Sequence, residues 1–167
     1  MNMLSKKLEK ALNKQVNAEF WSAYLYLSMA SCLEDKGLSG MANWMRQQFS
    51  EEQDHAIKLF NYIIDKGGRV LLESIAEVDT EWKDALDVFK STLKHEQEVT
   101  SMINNLCALA IEEKDYATES FLHWFVDEQV EEEKSVREII EVLTMIGKDG
   151  YGLYRYDKEL ATRKNEV

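Results

Sequence analysis

The chain has 167 residues, with 31 acidic against 20 basic side chains, a formal net charge of −11 at pH 7 and no proline. Its 45% apolar and 31% charged fractions suit a single helical or globular domain over residues 1–167 and exclude a disordered acidic tail. The acid excess provides no basic stripe for nucleic acid, and no run of about 18 apolar residues could span a membrane.

The opening residues, Met1 to Leu12, interleave Lys and Leu without an apolar stretch, so no signal peptide is expected and the chain reads as cytoplasmic. Cys32 and Cys107 stand alone in apolar helical pattern and read as small core residues in a reducing compartment. All seven Gly fall in three clusters, Gly37 with Gly40, Gly67 with Gly68, and Gly147 with Gly150 and Gly152. Gly marks turns and helix ends, so the clusters punctuate long helices. Residues 69–146 hold neither Gly nor Pro, and as one helix would reach roughly 117 Å. Two further breaks are therefore expected, one at Glu73–Thr80 with Thr80 as N-cap, one at Glu112–Thr118 with Asp115 or Thr118.

The expected elements are helices near Leu4–Asp35, Leu38–Lys66, Thr80–Ala110 and Asp115–Ile146, with a short one near Leu153–Thr162. Apolar residues recur at spacings of three and four in each, for example Phe121, Phe125, Val136, Ile139 and Leu143 in the fourth. Short connections at Gly37 and Asp115 make those neighbours antiparallel. The joint from Gly67 to Asp79 is long enough to cross the bundle end to end. The fold class is thus all-α, a four-helix bundle over about 4–146 with one long crossover and a short C-terminal fifth helix.

Each long helix also carries one carboxylate on its apolar stripe. Glu19 lies with Leu12, Val16, Ala23 and Tyr26; Glu52 with Met45, Phe49, Ala56 and Leu59; Glu96 with Phe89, Leu93, Thr100 and Ile103; Glu132 with Phe125, Gln129, Val136 and Ile139. All four sit near the middle of their helices, so they should meet at one level. No Lys or Arg stands three or four residues away from any of them, which removes intrahelical ion pairing. Four unpaired carboxylates in a dry core are costly unless protonated or held by metal. Two divalent cations would neutralise them, and a carboxylate and imidazole set without thiolate suits Fe or Mn better than structural Zn. Glu52-x-x-His55 places two donors one turn apart on one face, able to grip the same ion.

Several stretches together resemble the ferritin family, and within it the bacterial non-haem ferritins, from about Leu4 to Leu160. They are Asn17-Ala18-Glu19 with Tyr24 and Tyr26, Glu51-Glu52-Gln53-Asp54-His55, Lys94-His95-Glu96-Gln97, the run Phe121 to Lys134, and Gly147-Lys148 with Gly152-Leu153-Tyr154 and Asp157-Lys158-Glu159-Leu160. The fourth helix has Gln129-x-x-Glu132 followed by Ser135, where bacterioferritins and rubrerythrin-like proteins supply a second His. The resemblance implies that Glu19, Glu52 and His55 bind one iron and that Glu52 bridges to a second held by Glu96 and Glu132, with Gln129 close by. It matches Glu51, Glu128 and Glu131 to a third iron position, although on pattern alone these three are equally an acidic solvent face. It makes Tyr26 a candidate electron donor, where the pattern alone reads a core tyrosine. It further implies ferroxidase and iron-storage activity with Fe(II) and O2 or H2O2, a homo-oligomeric shell of 24 subunits, and no haem. His95 and His123 read as packing or surface residues. The other open readings are a bacterioferritin-like or rubrerythrin-like diiron oxidoreductase and a non-catalytic helical interaction module.

Overall fold

The long stretches without Gly or Pro become long helices in the computed structural model, which describes residues 3–165. Helix α1 spans Lys6–Asp35, α2 Ser39–Asp65, α3 Ala85–Glu112, α4 Tyr116–Ile146 and α5 Gly150–Leu160. Short polar side chains start four of them by accepting an otherwise orphan backbone N–H: Ser5 for α1, Asp84 for α3, Asp115 for α4 and Asp149 for α5. None of these helices is long and apolar enough to cross a membrane among the described residues.

Two helix starts differ from expectation by three residues or more. The third helix starts at Ala85 and not at Thr80, because Asp84, not Thr80, provides the cap at Asp87 N (2.9 Å). The fifth starts at Gly150, three residues early, because Asp149 caps it at Tyr151 N (3.1 Å), so Gly150 and Gly152 are helical residues and not breakers. Gly40 likewise lies inside α2's first turn. At the α3–α4 turn Lys114 takes a left-handed φ of 55°, where Gly37 and Gly67 take 75° and 72° at the ends of α1 and α2.

Helix α1 packs on α2, α3 on α4, and α1 also meets α3. The buried residues form two apolar clusters. One gathers Leu8, Leu12, Leu59, Ile63, Ile103 and Leu122; the other gathers Met29, Leu33, Met41, Met45, Phe89 and Val136. The beginnings of α2 and α3 share the second cluster, so these helices run parallel and residues 66–84 must traverse the bundle. That crossover is pinned along α1. Asn13 donates to Arg69 O (2.9 Å) and accepts from Leu71 N (2.7 Å), Asn17 donates to Ser74 O (3.1 Å), Trp21 to Glu77 O (3.3 Å) and Ser28 to Asp79 O (2.6 Å).

Helix α5 packs against α2 and α4. The start of α2 has no side-chain cap of its own, and the buried Asp157 of α5 serves instead, accepting from Met41 N at 2.8 Å. Cys32 is buried as expected; Cys107 is only half-buried, because its face of α3 turns partly outward.

Candidate metal centre

Between the two apolar clusters every long helix turns polar for about two turns. Helix α1 contributes Glu19 and Ser22, α2 Gln48, Glu52 and His55, α3 Thr92, His95 and Glu96, and α4 Gln129 and Glu132, all buried. Mid-helix placement brings them to one level, as the spacing predicted. One ligand atom each from Glu19, Glu52 and His55 lies within 4.8 Å of the other two, and the same holds for His55, Glu128 and Glu132. Glu96 belongs to neither group. Its carboxylate is occupied by the Tyr26 hydroxyl and by Gln129 Nε2 at 3.1 Å.

Three of the four carboxylates are held by side-chain amides, and the fourth lies beside an imidazole. Gln15 Nε2 donates to Glu19 (3.0 Å), Gln48 Nε2 to Glu132 (2.8 Å), Gln129 Nε2 to Glu96, and His55 Nδ1 lies 3.2 Å from Glu52. Amides and a phenol fix orientation without cancelling charge, which leaves the negative potential available to a cation. Within this layer one acceptor, Glu19 Oε2, is fully enclosed and has no donor among the described residues. A buried oxygen of this kind is satisfied by a proton or by a metal ion.

Burial dominates the electrostatics. It pushes the Glu52 carboxyl well above its ordinary range, with the charges of Glu96, Glu19 and Glu132 adding to the effect. Burial raises Glu96 to about 7, against the lowering pull of the Tyr26 and Gln129 hydrogen bonds. Glu132 reaches about 8, through burial first and then the charges of Glu96 and Glu51. The Tyr26 phenol is pushed far up by burial and by Glu96, so it stays a hydroxyl and donates. His95 is lowered to about 4 by burial and is therefore neutral, its Nε2 2.7 Å from Ser22 Oγ. It packs, as expected. His123 is exposed beside Glu119 (3.6 Å).

On the α2–α4 face a cavity of about 510 Å³ opens beside this layer. Glu51, Glu128 and Glu131 line it together with the buried His55 and Glu132. The three acids named for a third cation thus share one cavity. Arg163 and Lys164, from the segment after α5, close its other side.

Sequence reading missed Gln15, Gln48 and this arginine. Gln15 and Gln48 stand four residues before Glu19 and Glu52 on the same stripes, a signal available in the pattern. Arg163 carried no such signal, because its place depends on how α5 docks.

A ferritin-like domain model matches residues 9–146. The chain is 45% identical over 161 residues to a bacterial non-heme ferritin of Staphylococcus aureus (strain MRSA252), spanning 96% of this chain and 97% of that one. It is 47% identical over 161 residues to one of Staphylococcus haemolyticus (strain JCSC1435), with coverage of 96% and 97%. Among solved structures it is similar to an open pore ferritin from the hyperthermophilic archaeon Archaeoglobus fulgidus, with a TM-score of 0.97, 48% identity and coverage of 98% and 100%.

Proposed function

The chain belongs to the ferritin family and is an iron-storage protein with ferroxidase activity, and from that premise we propose that Fe(II) is oxidised by O2 or H2O2 at two metal positions inside the bundle. Glu19, Glu52 and His55 would hold the first. Glu52 would bridge to the second, which Glu96 and Glu132 complete with Gln129 beside them. Two Fe(II) substrates supply two electrons, the number that takes O2 to H2O2.

The observation that carries this reading is Glu19 Oε2, enclosed and without a donor among the described residues, on a carboxylate grouped with Glu52 and His55 within 4.8 Å. The donors fit iron: carboxylate oxygens and one imidazole, with no thiolate in the group among the described residues. The protein's own part is to orient and to exclude water. Gln15, Gln48 and Gln129 hold the carboxylates open, Tyr26 donates to Glu96 and is the candidate electron donor, and the apolar clusters seal the layer above and below. Glu51, Glu128 and Glu131 would take a third iron beside the pair, on the cavity side. A mineral needs an enclosure larger than one 19.4 kDa bundle, so storage is assigned to a cytoplasmic homo-oligomeric shell of 24 subunits whose acid excess attracts cations.

Anaerobic addition of Fe(II) followed by air tests the reading, with ultraviolet absorbance and size-exclusion mass as readouts. Oxidation should be fast in the parent and lost in a Glu52→Ala, His55→Ala double variant that retains its mass. Equal rates in the two would overturn the assignment.

A further inference from the structure

The C-terminal segment places a fixed cation at the cavity side of the metal centre. After α5 the chain lies along α2: Asn43 Nδ2 donates to Arg163 O (3.2 Å), and Asn165 Nδ2 donates to Gln47 O (3.2 Å). Between these anchors the Arg163 guanidinium stacks over the Trp44 ring at 4.2 Å and donates to Trp44 O at 3.2 Å. Its Nη2 reaches Glu51 Oε2 at 2.7 Å and Gln48 Oε1 at 2.6 Å.

Both acceptors matter to the site. Glu51 is one of the acids lining the cavity. Gln48, by accepting from Arg163 on Oε1, is left with Nε2 directed at Glu132, 2.8 Å away. A guanidinium is always protonated and matches a carboxylate oxygen geometrically, so it satisfies Glu51 as a metal ion would. Arg163 and Glu51 are 21% and 27% exposed at their side chains, which leaves the pair open to exchange with a solvated cation.

We propose that Arg163 is a resident stand-in for the third cation: it occupies Glu51 until a metal ion displaces it, so that docking of residues 161–165 on α2 sets how readily the cavity side of the centre fills. The inference rests on the two-metal reading above and concerns a positioning residue, not a metal ligand. Displacement has a second consequence. Gln48 loses the partner that fixes its amide, so filling the outer position loosens the hold on Glu132 and links the outer position to the inner pair. The direction is set by charge: with Arg163 in place, a cation approaching Glu51, Glu128 and Glu131 meets a fixed positive charge.

The test is calorimetric titration of the metal-free assembled protein with Zn(II), which needs no turnover, in the parent and in Arg163→Gln, Arg163→Lys and Glu51→Gln. The parent should show two tight events per subunit and one weaker event. Arg163→Gln should tighten the weak event about fivefold, with both tight events still present and shifted by a smaller factor through the freed Gln48. Arg163→Lys should fall between, since the charge is kept and the fork geometry lost. Glu51→Gln should remove the weak event in either background. A weak event of unchanged or lower affinity in Arg163→Gln, with two tight events intact, overturns the stand-in role and leaves the two-metal reading standing. Absence of the tight events in the parent overturns that reading itself. If Arg163→Gln does not assemble, Asn43→Ala, which loosens the segment through Arg163 O without touching the guanidinium, should tighten the weak event in the same direction; no change there overturns the role.

Discussion

Gln15 gives Glu19 one hydrogen bond of 3.0 Å, while the other oxygen of that carboxylate is enclosed without a donor among the described residues. The site is therefore built at a cost to the metal-free protein, which metal binding should recover. Glu19→Gln replaces the buried carboxylate by a neutral amide of the same shape. We expect the metal-free variant to be more stable than its parent by about 1 kcal/mol, a rise of about 2–4 °C in melting temperature for a chain of this size. We expect it also to lose most of the stabilisation the parent gains from saturating Zn(II). Thermal unfolding with and without the ion reads both. A variant that melts lower without metal yet gains as much from Zn(II) would show that Glu19 is not at the site.

Protonation gives a second expectation. Glu96 is raised to about 7 and Glu132 to about 8 from an ordinary 4.5, both chiefly by burial, and Glu52 lies well above that range. The folded metal-free protein thus holds protons that the unfolded chain releases above about pH 4.5. Their contribution to stability is complete below that pH and is lost as pH rises through 7 and 8. The metal-free protein should melt at lower temperature at pH 8.5 than at pH 5.5. A metal ion must displace these protons, so binding should release more per subunit at pH 6, where Glu52, Glu96 and Glu132 all hold one, than at pH 9, where Glu96 and Glu132 have ionised, and should tighten in between. Calorimetry in buffers of different ionisation enthalpy measures this. Equal proton release at the two pH values would contradict carboxyls raised in this way.

How far the sequence could be read depended on whether a feature is local to one helix. Glu19, Glu52, His55, Glu96 and Glu132 stood out because each breaks an apolar stripe near the middle of its own helix, and helical geometry alone then brings them together. The start of α3 was misplaced because Thr80 and Asp84 are both competent caps. The choice between them is made by the crossover, whose Asp79 carbonyl is tied to Ser28 on α1. The α3–α4 turn was legible although its left-handed position, Lys114, carries no Gly, because Asp115 is a cap competent in the pattern itself. Arg163 and Asp157 were invisible because both act across the α5–α2 contact, which no periodicity within α5 reveals.

Tyr26 is fully buried and directs its hydroxyl at Glu96, the carboxylate that otherwise relies on Gln129. Tyr26→Phe keeps the ring in place and removes only that donor. A hydrogen bond to a charged acceptor is worth about 1.5–3 kcal/mol, so we expect affinity for the second metal to fall by about tenfold or more. The first, at Glu19, Glu52 and His55, should change little. Stepwise Zn(II) titration separates the two. A loss confined to the first event would mean that Glu96 does not serve the second position.

The last expectation concerns the device that seats α5, and with it Arg163. Asp157 is 3% exposed and accepts from Met41 N at 2.8 Å, doing for α2 what Leu38 at its N-cap position cannot. The approach is so close that a Cβ on Gly40 would fall onto the Asp157 backbone carbonyl, with Ala161 N only 3.1 Å away. These are backbone atoms of a helix, so no rotamer change relieves the clash. In Gly40→Ala, α5 must move outward, and Met41 N–H loses its buried acceptor. Overpacking and an unsatisfied donor each cost about 1–3 kcal/mol, so we expect a loss of about 3 kcal/mol and a melting temperature lower by roughly 6–12 °C. Asp157→Asn, which keeps an acceptor and loses only the charge at the helix start, should cost about 1 kcal/mol or less. Thermal unfolding ranks the two, and the size-exclusion mass shows whether the proposed assembly survives the displacement of α5. A Gly40→Ala protein that melts with its parent would mean that α5 is not held at this contact, and the position of Arg163 over Glu51 would then lack its anchor.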